Sequence, residues 1–519
     1  MGKQKSFWLL ALILIIAGGL RLYHLKELPP GLYPDEAMNG NNALEILDNG
    51  AFSARGGSAF VGKVFYPENN GREGLFMNIQ ALSLKFWEVL SPSENSGGEN
   101  REGKPWALRF PSPIFGILTV LGLYFLGKEF FSKRVGLLAA FFLATSFWHI
   151  NFSRIGFRAI MAPFFLVWAL YFFLHAIRKS SDNKNSTTLI YAGVAGIFFG
   201  LGFYSYIAFR VMPLLFLVLI PFFGRHKGFW KCTAVFIGVT FLVAAPIGLY
   251  FLHNPADFMG RTTQVSIMNS PTPLKDLSLN ILKTAGMFNF MGDWNWRHNF
   301  AGRPEVFWPV GIFLWMGTIL TVRAVWKKFA HGEDRGYALP ATLMMAWIIL
   351  AVLPVVISNE GMPHALRSIL FLPVVMLLAG WGANWLYEKI IHLSHISHNG
   401  DRLIKTVRAC SVILFALLVL EAATTYFILW GKNPNVPNAF AADQIKLGKE
   451  LLALPIETPK YVVVKAQGVD VRGIPMPSQT VMFITDTFTP AGQAKKNIHY
   501  VLSKDESSIP AGALKFYIN

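Results

Sequence analysis

Apolar runs close to the length that carries a helix across a bilayer recur along this chain, and they constrain its fold more than any other feature. A crossing helix needs roughly 20 apolar residues. The runs fall at 6–22, 107–127, 135–150, 159–178, 189–206, 208–223, 232–252, 306–325, 338–357, 365–387 and 409–430. They make about 11 transmembrane helices, with 135–150 short enough to tilt or to insert only in part. Composition agrees. Of 519 residues, 53% are hydrophobic and only 15% charged, too few charges for a soluble chain of this length. The expected fold class is an α-helical polytopic membrane protein.

The formal charge of +17 could point to nucleic acid, but the cations cluster between the apolar runs. That pattern reports topology, because short cytoplasmic loops collect Lys and Arg. No nucleic-acid partner is expected. Lys3 and Lys5 put the N-terminus in the cytoplasm. The loops that follow on that side carry Lys128/Lys133/Arg134, Arg178/Lys179/Lys184, Arg225/Lys227/Lys231, Arg323/Lys327/Lys328/Arg335 and Lys389/Arg402/Lys405/Arg408. The C-terminus then falls on the outer face. No small-residue cleavage site follows the first apolar run, so it reads as a retained helix of an integral cell-membrane protein. Cys232 and Cys410 lie on separate spans, which argues against a disulfide framework.

The outer face carries the bulk of the polar chain. Residues 1–430 form the transmembrane unit, with a long first outer loop (23–106) and a second (253–305). Short outer loops lie at 151–158 and 358–364. The segment Ser91–Lys104 is polar and Gly/Ser-rich and reads as a mobile loop. Residues 431–519 read as a small soluble α/β domain, with a helix over 441–452 and strands at 461–464, 480–485 and 514–518. No internal repeat is visible.

Four constellations could carry chemistry. Asp35 and Glu36 stand together just beyond the first span. Acidic residues after Pro34 suit the start of a helix, and capping alone accounts for them. A carboxylate at a membrane interface also suits a general base. Cations form the second group. Arg154, Arg158, Arg210, His364 and Arg367 sit at the outer ends of spans, against the usual bias. One such Arg snorkels to the interface; several together need a polar cavity or an anion, and a phosphate would satisfy them. The third is Gly292–Asn299, reading GDWNWRHN. It is either an interfacial aromatic belt or a sugar platform, with Asp293, Arg297 and His298 as its polar contacts. The fourth is Gly71–Phe76 with Lys63 upstream, where Lys63 could reach a phosphate and Glu73 an acceptor or cation. Gly57–Val64 approaches a P-loop, but Val64 stands where the metal-binding Ser/Thr belongs, and no strand precedes it. No HExxH or paired CxxC occurs. A divalent metal is the one cofactor left open, and carboxylates or scattered His would have to hold it.

The strings LPPGLYPDEA, GREGLF, HINFSRIGFRA, LGFYSYIAFR, GDWNWRHN and MPHALR, following a single apolar span, resemble the polytopic GT-C glycosyltransferases. The nearest branch is that of protein O-mannosyltransferases and the lipid A aminoarabinose transferase. The resemblance covers roughly residues 6–430. It implies a polyprenyl-phosphate sugar donor held in the membrane, transfer with inversion, and an acceptor that is a protein, lipid or glycan. Carried onto this sequence, it implies Asp35 as general base and Glu36 as the group that orients Asp35 or the acceptor. It implies Arg154, Arg158, Arg210, His364, Arg367 and Lys63 around the donor phosphate, and Glu73 beside sugar or acceptor. The Trp-Trp-Asp signature of oligosaccharyltransferases is absent, which argues against protein N-glycosylation. The main alternative is a transporter or flippase of a lipid-linked or anionic solute, although such folds usually show a repeat. An assembly subunit with degenerate chemistry is a third reading.

Overall fold

The computed structural model describes residues 3–49, 62–90, 104–180, 185–334, 336–396 and 400–519. Most of the polar segment 91–104 and of the P-loop-like string therefore lies outside the described residues. Among those described, seven helices are long and apolar enough to cross a membrane: Gln4–Leu22, Pro105–Phe130, Arg158–Ser180, Lys227–His253, Trp308–His331, Ala338–Val356 and Gly400–Trp430. Helices satisfy every backbone group within themselves, which is what hydrocarbon demands. Thr187–Gly202 and Ile207–Phe223 are apolar but shorter. Phe371–Ile396 is long, and its first half is buried among its neighbours.

Two expected spans differ in detail. The run 135–150 is no single helix. Lys133–Ala144 ends at Thr145, and Phe147–Phe152 starts afresh with the Ser146 hydroxyl accepting from the His149 N–H. The run 208–223 divides into a 3₁₀ turn (Ile207–Val211) and two short helices, Pro213–Leu217 and Ile220–Phe223. Pro213 and Pro221 remove backbone donors and interrupt the hydrogen-bond ladder there.

The buried centre runs along Phe371–Ile396, which packs against Trp308–His331 and Lys133–Ala144. Two fully buried indoles find acceptors just before its first residue. Trp347 donates to the Leu370 carbonyl (2.9 Å) and Trp148 to that of Ala365 (3.1 Å). A buried indole keeps its burial benefit only when its N–H is paired.

The first long loop holds a helix (Pro34–Asp48), a short hairpin (Phe65–Tyr66 with Arg72–Glu73) and a second helix (Leu75–Leu90). The tail is an α/β unit with a parallel three-stranded sheet in the order Ile498–Leu502, Lys460–Val464, Leu514–Ile518. Its helix Ala442–Ala453 lies where the sequence implies one. The segment 480–485, expected as a strand, is a helix (Gln479–Thr485) with every residue buried. A short apolar run has no periodicity to separate strand from helix, and burial on all sides suits either. The 3₁₀ turn Met476–Ser478 leads directly into it.

Candidate active site

Pro34 opens the helix that presents the acidic pair, preset by its fixed φ. The Glu36 carboxylate accepts the Tyr33 N–H (3.3 Å), as a capping group does. Successive helical residues point about 100° apart, so the two acids enter different surroundings. Asp35 is half-buried, accepts from the Asn69 side chain (2.8 Å) and lines a cavity of about 420 Å³. Glu36 is fully buried and does not line it. Its two oxygens meet Nε and Nη2 of Arg109, both at 2.8 Å, and one also accepts the Gly156 N–H (2.6 Å). Arg109 completes the brace by donating to the carbonyls of Pro29 and Gly31. Glu36 therefore fastens three segments together rather than facing the cavity.

Several of the cations line the same cavity. Glu73 is buried at the end of the hairpin. Its neighbour Gly74 passes so close to the chain that a Cβ there would lie 1.9 Å from the Lys63 carbonyl oxygen. Glu73 accepts from Arg158 Nε (2.6 Å), with Arg210 at 3.9 Å. Arg210 lies over the rings of Phe251 and Phe258 and donates to the Phe258 carbonyl (2.5 Å). Arg367 pairs with Glu360 (2.6 Å) and donates to the Ser358 hydroxyl. Asp35, Glu73, Arg158, Arg210, His364 and Arg367 thus share one cavity, whose lining also includes apolar Phe258, Met259, Leu353 and Ile357 and polar Asn39, Arg72 and Asp257.

The other candidates are not among its lining residues. Arg154 is buried, donates to the carbonyls of Leu20 and Leu28, and lies 5.1 Å from the ring centres of Tyr426 and Phe427. It closes the turn after Phe147–Phe152 and reaches back to the end of the first span, whereas Arg158 lies beyond that turn and reaches the hairpin at Gly71 and Glu73. Lys63 is exposed, 5.8 Å over the Tyr66 ring. Arg297 stacks at 3.5 Å on Tyr33 and donates to Asn295.

Asp293, His298 and His364 form a separate cluster beside the cavity, with ligand-type atoms all within 4.8 Å of one another. Asp293 contacts His298 Nδ1 (3.0 Å), accepts the Ala365 N–H (2.9 Å) and lies 3.9 Å from His364. One carboxylate and two imidazoles are a donor set that suits a divalent transition ion. Burial pushes His298 below the usual histidine range, against the opposing pull of Asp293, and so favours the neutral, ligating form. Glu305 supports the loop by accepting the Asp293 N–H (3.0 Å), and burial holds its carboxyl well above the usual range.

Residues 101–250 match the family model of dolichyl-phosphate-mannose-protein mannosyltransferases. Two solved membrane enzymes share the fold. The oligosaccharyltransferase AglB of Archaeoglobus fulgidus, solved with an inhibitory peptide and a dolichol-phosphate, superposes with a TM-score of 0.55 at 15% identity over 93% of this chain. This chain spans 64% of that enzyme's length. ArnT of Cupriavidus metallidurans, solved with undecaprenyl phosphate, gives 0.52 at 12% identity, over 96% of this chain and 90% of ArnT. The chain shares the fold of AglB and ArnT. No curated relative matches the sequence.

Within this fold, several residues matter that the sequence did not single out. Arg109 braces Glu36, and Asn69 holds Asp35. Arg72 donates to Asn39 and Asn42 of the acidic helix, both at 2.8 Å. Burial, reinforced by nearby Arg158, lowers its pKa to about 10. Asp257 lines the cavity and accepts the Tyr250 hydroxyl (2.7 Å). One signal was available. The string Asn39-Gly-Asn-Asn42 is a poor helix former, and its survival inside a helix implies partners for the amides.

Proposed function

We propose that this chain transfers a sugar from a polyprenyl-phosphate donor to an acceptor hydroxyl or amine on the outer face, with inversion and with Asp35 as general base. The observation that carries the reading is the shared cavity, which brings half-buried Asp35 together with Arg158, Arg210, Arg367 and His364, alongside Arg72, Glu73 and Asp257.

The chemistry follows from that grouping. Asp35 takes the acceptor proton as the acceptor atom bonds to the anomeric carbon. The bond from that carbon to the phosphate oxygen breaks, and its electron pair leaves with the polyprenyl phosphate. A single displacement inverts the anomeric centre. Charge grows on the phosphate as that bond breaks, so cations already fixed around it lower the barrier. Arg158, Arg210 and Arg367 offer forked donors for this role, with His364 beside them. Asn69 holds Asp35 in position, which removes part of the ordering cost from the reacting step. The apolar wall of Phe258, Met259, Leu353 and Ile357 suits the first units of a lipid chain. If a divalent ion binds, Asp293, His298 and His364 would hold it, and it would supply positive charge near the cavity. AglB and ArnT were solved with dolichol-phosphate and undecaprenyl phosphate, which supports a lipid-phosphate donor here as well. The proposed membrane orientation puts the N-terminus in the cytoplasm and the tail outside.

The test is turnover of radiolabelled polyprenyl-phosphate sugars by purified protein in lipid, with a membrane extract as acceptor source. Asp35→Asn should lower turnover by about 10²- to 10⁴-fold while donor binding survives. Equal turnover in both proteins removes Asp35 from the mechanism. Binding without turnover in wild type moves the weight to transport.

A further inference from the structure

We infer that the tail domain is a positioning element for the cavity, and that Arg472 is the residue through which it acts. The inference rests on the proposed role of Asp35, but its central geometry does not.

The helix Pro34–Asp48 has a polar sequence, yet twelve of its fifteen residues are buried. Part of its cover comes from the tail. The helix Gln479–Thr485 lies against it, with Asn41 donating to the Gln479 carbonyl (3.1 Å) and side chain (2.9 Å). Thr480 donates to the Leu32 carbonyl (2.8 Å), three residues before Asp35. The approach is so close that a Cβ at Gly40 would stand 2.5 Å from the Phe483 ring. Met38 packs into a small apolar cluster with Val471, Met476, Met482 and Phe488 of the tail.

Arg472 extends this contact to the other half of the site. It follows the short strand Asp470–Val471 with φ of 56°, a left-handed conformation that a non-glycine residue adopts at some cost. Held there, its guanidinium forks onto both oxygens of Glu45, each at 3.0 Å, and donates from Nε to Glu68 (3.0 Å). Glu45 belongs to the acidic helix. Glu68 belongs to the hairpin loop, next to Asn69, the residue that holds Asp35. Four residues further along that loop, Glu73 meets Arg158. One tail cation therefore couples the helix that carries Asp35 to the loop that orients it and that bears Glu73. Arg72 makes the same connection from within the first loop, through Asn39 and Asn42. Arg472 makes it from a separate domain, and it does not line the cavity.

The experiment compares full-length wild type, Arg472→Ala, Arg472→Lys and the swap Arg472→Glu with Glu45→Arg, all in lipid. Lys515→Ala, at a weak tail ion pair (3.8 Å), serves as the control. Amide hydrogen exchange over 62–74 and 34–48 reads the coupling without any substrate. Turnover and donor KM read its consequence. Arg472→Ala should raise exchange in 62–74 and lower kcat by about 10- to 100-fold, with donor KM changed by less than about threefold. Lysine, which lacks the fork, should recover only part, and the swap should recover more than Arg472→Glu alone, which is made as its reference. Unchanged exchange in 62–74 together with wild-type kcat in Arg472→Ala overturns the inference. So does loosening spread evenly over the tail, or loss that appears only in donor KM. If wild type itself shows no turnover, the transferase reading fails, while the exchange data still decide whether Arg472 couples the two segments.

Discussion

The Glu36–Arg109 pair offers the sharpest test of how this site is assembled. Both side chains are almost completely buried, with exposures of 0% and 1%. Two charge-assisted hydrogen bonds of 2.8 Å join them. Arg109→Met keeps much of the apolar bulk but leaves Glu36 with only the Gly156 and Tyr33 N–H groups to offset its buried charge. Removing one partner of such a pair costs about 3–5 kcal/mol. That is roughly two to three and a half orders of magnitude in the folding equilibrium. Glu36→Gln should fall in the same range, because it leaves the guanidinium with neutral acceptors alone. The double variant Glu36→Gln/Arg109→Met should be more stable than the sum of the singles by at least about 1 kcal/mol, since neither charge is then stranded. Reversible unfolding in mixed micelles, followed by tryptophan emission, measures all three. A cost below about 1 kcal/mol for Arg109→Met would match an exposed ion pair instead and refute the reasoning. Strict additivity would refute it too. The pair also separates the two acids: Glu36→Gln should lose stability first, whereas Asp35→Asn should lose turnover with stability kept.

Further outcomes follow from the same geometry. Gly40→Ala should destabilise the protein by about 1–3 kcal/mol and loosen the tail, read by melting and by proteolysis of the tail, because its methyl overlaps the Phe483 ring. Arg367→Ala should weaken donor binding by about tenfold, measured with unlabelled polyprenyl phosphate, by removing one charge-assisted contact. Elemental analysis should find about one divalent transition ion per chain, lost in Asp293→Ala; absence of metal in wild type prepared without chelator refutes that assignment. A cysteine placed at exposed Ser507 should react with an impermeant maleimide in intact cells, and protection there would reverse the proposed orientation.

Much of the architecture was legible because the bilayer reduces it to length and hydropathy. Gln4–Leu22 or Ala338–Val356 announce themselves by composition. The break at Thr145–Ser146 did not, since an apolar run keeps its hydropathy whether or not the helix continues. The candidate site divides along the same line. Residue types could be read directly, but directions could not. Asp35 and Glu36 are adjacent, yet one lines the cavity and the other braces Arg109. Arg154 and Arg158 are four residues apart, yet one meets backbone carbonyls and the other meets Glu73.

By itself, then, the amino-acid order determined that this chain is a helical membrane protein with a GT-C-like pattern and polar groups gathered at one end of its spans. Hydrophobic transfer depends on composition over some twenty residues, and no distant partner is needed to read it. Only the tertiary structure decided which carboxylate faces the cavity, which arginines reach it, and that the tail grips the first loop through Arg472 and the helix Gln479–Thr485. Those choices depend on pairings between residues up to several hundred positions apart, such as Asn41 with Gln479. They are made by burial and hydrogen-bond satisfaction once the helices have packed, and a local stretch of sequence carries no record of them.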